Sequence, residues 1–257
     1  MENNSTWQPS PPSPTTSVRS GFGIPASIAF AAGAVFVAFA AIIAFLLVVS
    51  ATGAVDLSRK VFPITAELAG ELAVYVPLAA YMLFFLPRLA MRSLPELGFR
   101  APGWREIGIG VAGFVLMAIA ILGAGAIMAA LTHRHDTQVA VDLLKRIKTP
   151  EEKILFLSLA IAFAPLMEEL GFRVFLFNSF ARHVPVWLAT VVSGVIFGAV
   201  HSTSLPQLLT VSIPLACGGI VLACVYSISR NYWSNVITHS MFNAASVAMF
   251  FVFHVKT

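Results

Sequence analysis

Apolar runs long enough to cross a bilayer recur along the whole chain, with only short polar connections between them. They lie at residues 21–50, 67–86, 107–131, 153–180, 186–201, 206–230 and 232–254. A hydrocarbon core of about 30 Å takes about twenty helical residues to span. Only 11% of the 257 residues are charged against 58% hydrophobic, where a soluble domain carries about 25% charged residues. The expected fold class is therefore all-α, a polytopic transmembrane helix bundle of about seven spans. The bilayer is the first partner this implies. The net charge of +4 does not point to nucleic acid. Basic residues such as Arg88, Arg92, Arg100 and Arg105 stand in connections, where they orient a protein in the membrane.

Local signals mark several boundaries. Residues 1–20 are rich in Ser, Thr, Pro and Asn and read as a disordered tail, with no signal-peptide pattern. Glu67 and Glu71, one turn apart, suit an interfacial first turn where carboxylates favour the helix dipole. Pro87 is expected to end that helix. Glycines at 108, 110, 113, 123 and 125 predict close helix packing along the third run. Val139, Leu143, Leu144 and Ile147 recur at helical spacing among polar residues, which predicts a short amphipathic helix at the interface. Thr149 and Pro150, followed by two acids, read as a helix N-terminus. Cys217 and Cys224 lie seven apart in one apolar helix. Their Cα atoms would be roughly 10 Å apart, too far for a disulfide. Neither cysteine pairs with a histidine at a zinc-type spacing.

The polar residues inside the later runs are the candidates for chemistry. Glu168, Glu169 and Arg173 interrupt a run otherwise able to span the membrane. Each charge at that depth costs roughly 2.5–3.5 kcal/mol on insertion scales, so an intramembrane ionisable group is a functional site by default. Glu169 and Arg173, four apart, are placed for an ion pair on one helix face, which leaves Glu168 about 100° away to face something else. His201 follows Phe197 by one turn, and His239 shares a face with Asn243. Together these supply a base, two imidazoles and an amide, the inventory for hydrolysis. Ser202 and Ser240 neighbour the histidines but stand in no nucleophile motif. The same residues could instead hold zinc, although no His-Glu-x-x-His is present, or relay protons or ions.

Glu168-Glu169-x-x-x-Arg173, Phe197-x-x-x-His201 and His239-x-x-x-Asn243, in that order on successive apolar helices, resemble the CPBP family. That family comprises the CAAX prenyl endopeptidases of the second type and the bacteriocin-processing or immunity proteins, also called the ABI family. The resemblance covers residues 150–250, and the Leu97-Gly98-Phe99 and Trp233 to Asn243 stretches suit it. It implies an intramembrane glutamate protease acting on a membrane-associated, possibly lipidated protein or peptide, without a cofactor. Glu168 would activate water with help from His201. His239 and Asn243 would stabilise the oxyanion, and Glu169, Arg173 and Phe197 would support the site. The expected organisation is a tail at 1–20, N-terminal transmembrane helices at 21–135 and a catalytic transmembrane region at 136–257. The expected setting is a bacterial inner membrane. A non-catalytic immunity or partner-binding protein of the same fold is the alternative.

Overall fold

The computed structural model describes residues 23–254 except 57–61, 135, 137 and 138. The tail predicted at 1–20 lies outside the described residues. Among those described there are helices and turns but no strands. Six helices among the described residues are long and apolar enough to cross a membrane: α1 (Ile24–Thr52), α2 (Ile64–Ala90), α3 (Trp104–Thr132), α5 (Pro150–Ala181), α7 (Leu208–Ser229) and α8 (Tyr232–Phe253, continuing to His254). Between them lie the short α4 (Val139–Arg146) and the apolar α6 (Val186–Ala199). The polytopic all-α bundle read from the apolar runs is thus the observed architecture.

The boundaries differ from expectation in instructive places. Pro87 does not end α2, which continues to Ala90 and stops at Met91 in the left-handed region, φ 51°. A proline disturbs the turn before it, and the residues after it keep their own amides. The fifth run forms a helix of 14 residues, only about 21 Å long at 1.5 Å per residue. His201 stands in the turn beyond its end. By contrast, the start of α5 is as predicted: Thr149 Oγ1 accepts from the Glu152 amide at 3.3 Å, with Pro150 in the first position.

Close packing of small residues builds the centre. α7 packs against both α6 and α3, and α8 against α3. A Cβ on Gly219 of α7 would lie 2.9 Å from Gly194 Cα on α6. On α3, Gly110 and Gly113 admit Ser234, Ile237 and Thr238 of α8, and Thr238 Oγ1 donates to Gly110 O at 2.8 Å. The other predicted packing glycines do not share this role. A Cβ at Gly108 or Gly123 would meet nothing within 4 Å.

Two smaller features set the position of the elements around the site. Gly98, at φ 99°, approaches the start of α8 so closely that its carbonyl accepts from the Tyr232 amide at 3.0 Å. Asn231 then caps α8, its Oδ1 accepting from the amides of Trp233 and Ser234 at 2.9 and 3.2 Å. The amphipathic α4 buries Leu143 and Leu144 against Ile64, Leu68, Phe156 and Leu159. Its apolar face therefore meets the bundle. Arg146 ties its end to both oxygens of Glu67, at 2.8 and 2.9 Å. Before α4, the Arg134 guanidinium, together with the Thr210 hydroxyl, holds the Asp136 carboxyl below the usual carboxylate range.

Candidate active site

α5 is widened twice, at Leu159–Phe163 and Leu170–Phe177, into turns in which amides reach back five residues instead of four. Such segments recur at functional sites. The first has a visible cause in the sequence. The Ala164 amide bonds Leu159 O, and Pro165, which would be next to reach back, has no N–H. The Ala160 carbonyl is thereby released from the helix ladder, and Asn243 Nδ2 of α8 donates to it at 2.8 Å.

Glu168 and Glu169 stand between the two widened segments and face different ways. Glu169 and Arg173 are fully buried, 0% exposed. Arg173 Nε lies 3.2 Å from Glu169 Oε2, so the predicted i,i+4 pair forms. Asn235 Nδ2 donates to the same oxygen at 2.9 Å, and His239 Nδ1 lies 2.8 Å from Oε1. Arg173 also donates to Gly219 O at 3.1 Å, and its guanidinium carbon sits 4.8 Å from the centre of the Phe197 ring. Taking these charges out of water is costly unless each is paired and hydrogen-bonded. The cluster meets part of that need from α5, α7 and α8 together: both Glu169 oxygens are engaged, while Arg173 Nε and one terminal nitrogen make no hydrogen bond.

Glu168 turns instead into a cavity of about 450 Å³. Its Oε2 lies 3.8 Å from His201 Nε2 and 3.7 Å from His239 Nε2, and makes no hydrogen bond within the protein. The other ring nitrogens define the proton positions. His201 Nδ1 is 2.6 Å from Phe197 O, and a carbonyl only accepts, so Nδ1 carries the hydrogen. The same assignment holds for His239 Nδ1 against Glu169. In the neutral rings both Nε2 atoms are then acceptors facing a third acceptor, Glu168 Oε2. Only a shared proton, or the O–H of a water, completes such a set. Phe197 packs against both imidazoles, ring centres 4.7 and 5.8 Å apart. Its four-residue step to His201 is therefore a backbone anchor as well as a wall.

Glu168, His201, His239 and Asn243 all line this one cavity, while Glu169 and Arg173 lie behind it. Among the described residues, no group of three or more His, Cys, Asp or Glu side chains is arranged to hold a metal ion. Two participants, Asn235 and Tyr75, went unnoticed in the sequence, and a third, Glu71, was placed at an interfacial first turn. Asn235 was legible, since Asn231, Asn235, His239 and Asn243 repeat every four residues along α8. Glu71 and Tyr75 of α2 also line the cavity. Of the two carboxylates expected at an interfacial first turn, Glu67 pairs with Arg146, whereas Glu71 faces inward.

Residues 150–245 match the family described as Type II CAAX prenyl endopeptidase Rce1-like. The resemblance read from the three motifs is borne out over that region, which is less than half of the chain. The match supports a CAAX-type intramembrane protease in general terms and does not favour the non-catalytic alternative. No curated protein and no solved structure matches the chain.

Proposed function

We propose, from that match and the cavity together, that the chain is an intramembrane endopeptidase in which Glu168 activates the attacking water. The observation that carries this reading is the convergence of Glu168 Oε2 with Nε2 of His201 and of His239 inside the bundle. Water seated among the three gives a proton to Glu168 while His201 Nε2 orients it. Its oxygen attacks the peptide carbonyl carbon, and the carbonyl electron pair moves onto oxygen. With Nδ1–H committed to Glu169, His239 donates to that oxyanion from Nε2 by keeping the proton that the resting site shares between this nitrogen and Glu168 Oε2, which leaves Glu168 free to take the proton from water. Asn243 has a second amide hydrogen to add, its first being held by Ala160 O. The proton on Glu168 passes to the leaving nitrogen, the C–N bond breaks, and a carboxylic acid and an amine result. Glu169, Arg173 and Asn235 hold His239 in place and do not touch the reacting atoms.

The cavity wall favours an apolar peptide. Leu68, Leu143, Leu144, Phe156 and Phe250 line it, which suits a membrane-associated or prenylated substrate protein. The compact connections and the presence of only two cysteines fit a bacterial inner membrane. The decisive experiment is cleavage of a prenylated peptide by the purified chain in detergent. Glu168→Gln keeps the shape and removes the base, and is expected to lower turnover by about 10²–10⁴-fold. Undiminished cleavage by that variant overturns the mechanism. Two imidazole nitrogens and a carboxylate are in kind a donor set zinc accepts, although among the described residues they are not arranged to hold one. Cleavage unchanged after exhaustive chelation is expected, and activity lost to a chelator and restored by zinc would assign the site to the metal.

A further inference from the structure

Glu71 is the second carboxylate of the cavity, and the proposed reaction does not use it. It lies on α2 one turn before Tyr75, and both side chains line the same space as Glu168. No lysine or arginine lines that space among the described residues. Glu67 stands one turn before it on α2, and Glu168 lines the same cavity. Arg146, the cation that meets α2 one turn earlier, is taken: it grips both oxygens of Glu67 and also donates to Phe62 O at 2.6 Å. The side chains of Glu71 and Tyr75 make no hydrogen bond among the described residues, whereas both oxygens of Glu67, on the same helix, are paired. A half-buried carboxylate beside a second one, between apolar walls, is unfavourable until a cation or donor reaches it. No cation lines the cavity among the described residues, and in the peptidase reading the space in front of Glu71 is the space in which the peptide lies.

We infer that Glu71, with the Tyr75 hydroxyl beside it, is the specificity-determining group of this cavity and receives a lysine or arginine side chain of the substrate close to the bond cut at Glu168. The position of that bond rests on the peptidase reading, but the contact itself is a matter of binding. A cationic side chain brings the charge that this wall lacks, and its aliphatic stem lies along apolar lining such as Leu68 and Phe156. Tyr75 offers a hydroxyl acceptor within the same turn. The acid would thus select peptides whose apolar sequence is broken by one basic residue.

The test uses the full chain in detergent and fluorescent S-farnesyl peptides carrying lysine, glutamine or glutamate at each of the positions flanking the target bond. Binding is measured by anisotropy, without reliance on turnover. At one position lysine is expected to bind about tenfold more tightly than glutamine, the size of one charge-assisted contact. Glu71→Gln is expected to erase that difference, and Glu71→Lys to transfer it to the glutamate peptide. Equal affinities for lysine and glutamine at every position of the unmodified protein overturn the inference, as does a lysine preference that survives Glu71→Gln. If the Glu71 variants do not fold, the series on the unmodified protein decides alone. A lysine preference in a protein with no Glu168-dependent cleavage supports this inference and counts against the peptidase.

Discussion

Glu169 carries no proposed catalytic step, yet more of the site depends on it than on any other side chain. Its two oxygens meet Arg173, Asn235 and His239, so one carboxylate connects the helix bearing the base to the helix bearing the oxyanion donors. Removing Arg173 would leave that carboxylate buried without its cation. Arg173→Met is expected to destabilise the fold by about 3–5 kcal/mol, read as a lowered thermal midpoint in detergent and a loss of cleavage. Arg173→Lys should recover only part, because an ammonium cannot reproduce the contacts of a planar guanidinium to Glu169, Gly219 O and the Phe197 ring. Glu168→Gln should leave the midpoint near its original value, since Glu168 Oε2 has no hydrogen bond within the protein to lose. The two neighbouring glutamates therefore separate stability from chemistry, and a Glu168→Gln midpoint that falls as far as that of Arg173→Met would contradict this division.

Among the elements, α6 makes the strongest demand on its neighbours. With 14 residues it must hold both Phe197 and the turn that presents His201. A Cβ added at Gly198 would meet Ser212 O and lie 2.6 Å from the Ala216 amide nitrogen, backbone atoms that cannot rotate away. Gly198→Ala is expected to push α6 off α7, costing about 1–3 kcal/mol and lowering turnover through His201. Gly108→Ala on α3, where the new carbon meets nothing within 4 Å, should instead gain about 0.5–1 kcal/mol of helix propensity. Thermal midpoints of the two variants, measured side by side, should shift in opposite directions. The glycine pattern of the sequence announced close packing on α3, but not which glycines supply it. A run of small residues shows that approach is possible, whereas only the facing helix shows where it occurs.

For the molecule as a whole, the site draws on helices from both sides of residue 136. Leu68, Glu71 and Tyr75 come from α2 and Met117 from α3, while the proposed catalytic groups come from α5, α6 with its following turn, and α8. α1 contributes nothing to the cavity wall. It packs on α2 and reaches α5 through Phe30 and Phe175, ring centres 4.4 Å apart. Deleting the chain through Gly53 is expected to lower the thermal midpoint while preserving Glu168-dependent cleavage; loss of cleavage in a deletion protein that remains folded would show that α1 orders the site. The apolar runs by themselves determined that the chain is a helical bundle, because lipid leaves backbone amides no other partners along a single segment. The four-residue steps determined which polar groups share a helix face, and hence the Glu169–Arg173 pair, since that spacing is set by helix geometry alone. Contacts between helices were decided only by the tertiary structure. It turned Glu71 inward while Glu67 paired with Arg146, laid α4 against the bundle, and gave Asn243 the carbonyl released by Pro165. Those outcomes depend on which segments, distant in sequence, come to rest against each other, and no periodicity within one helix encodes its neighbour.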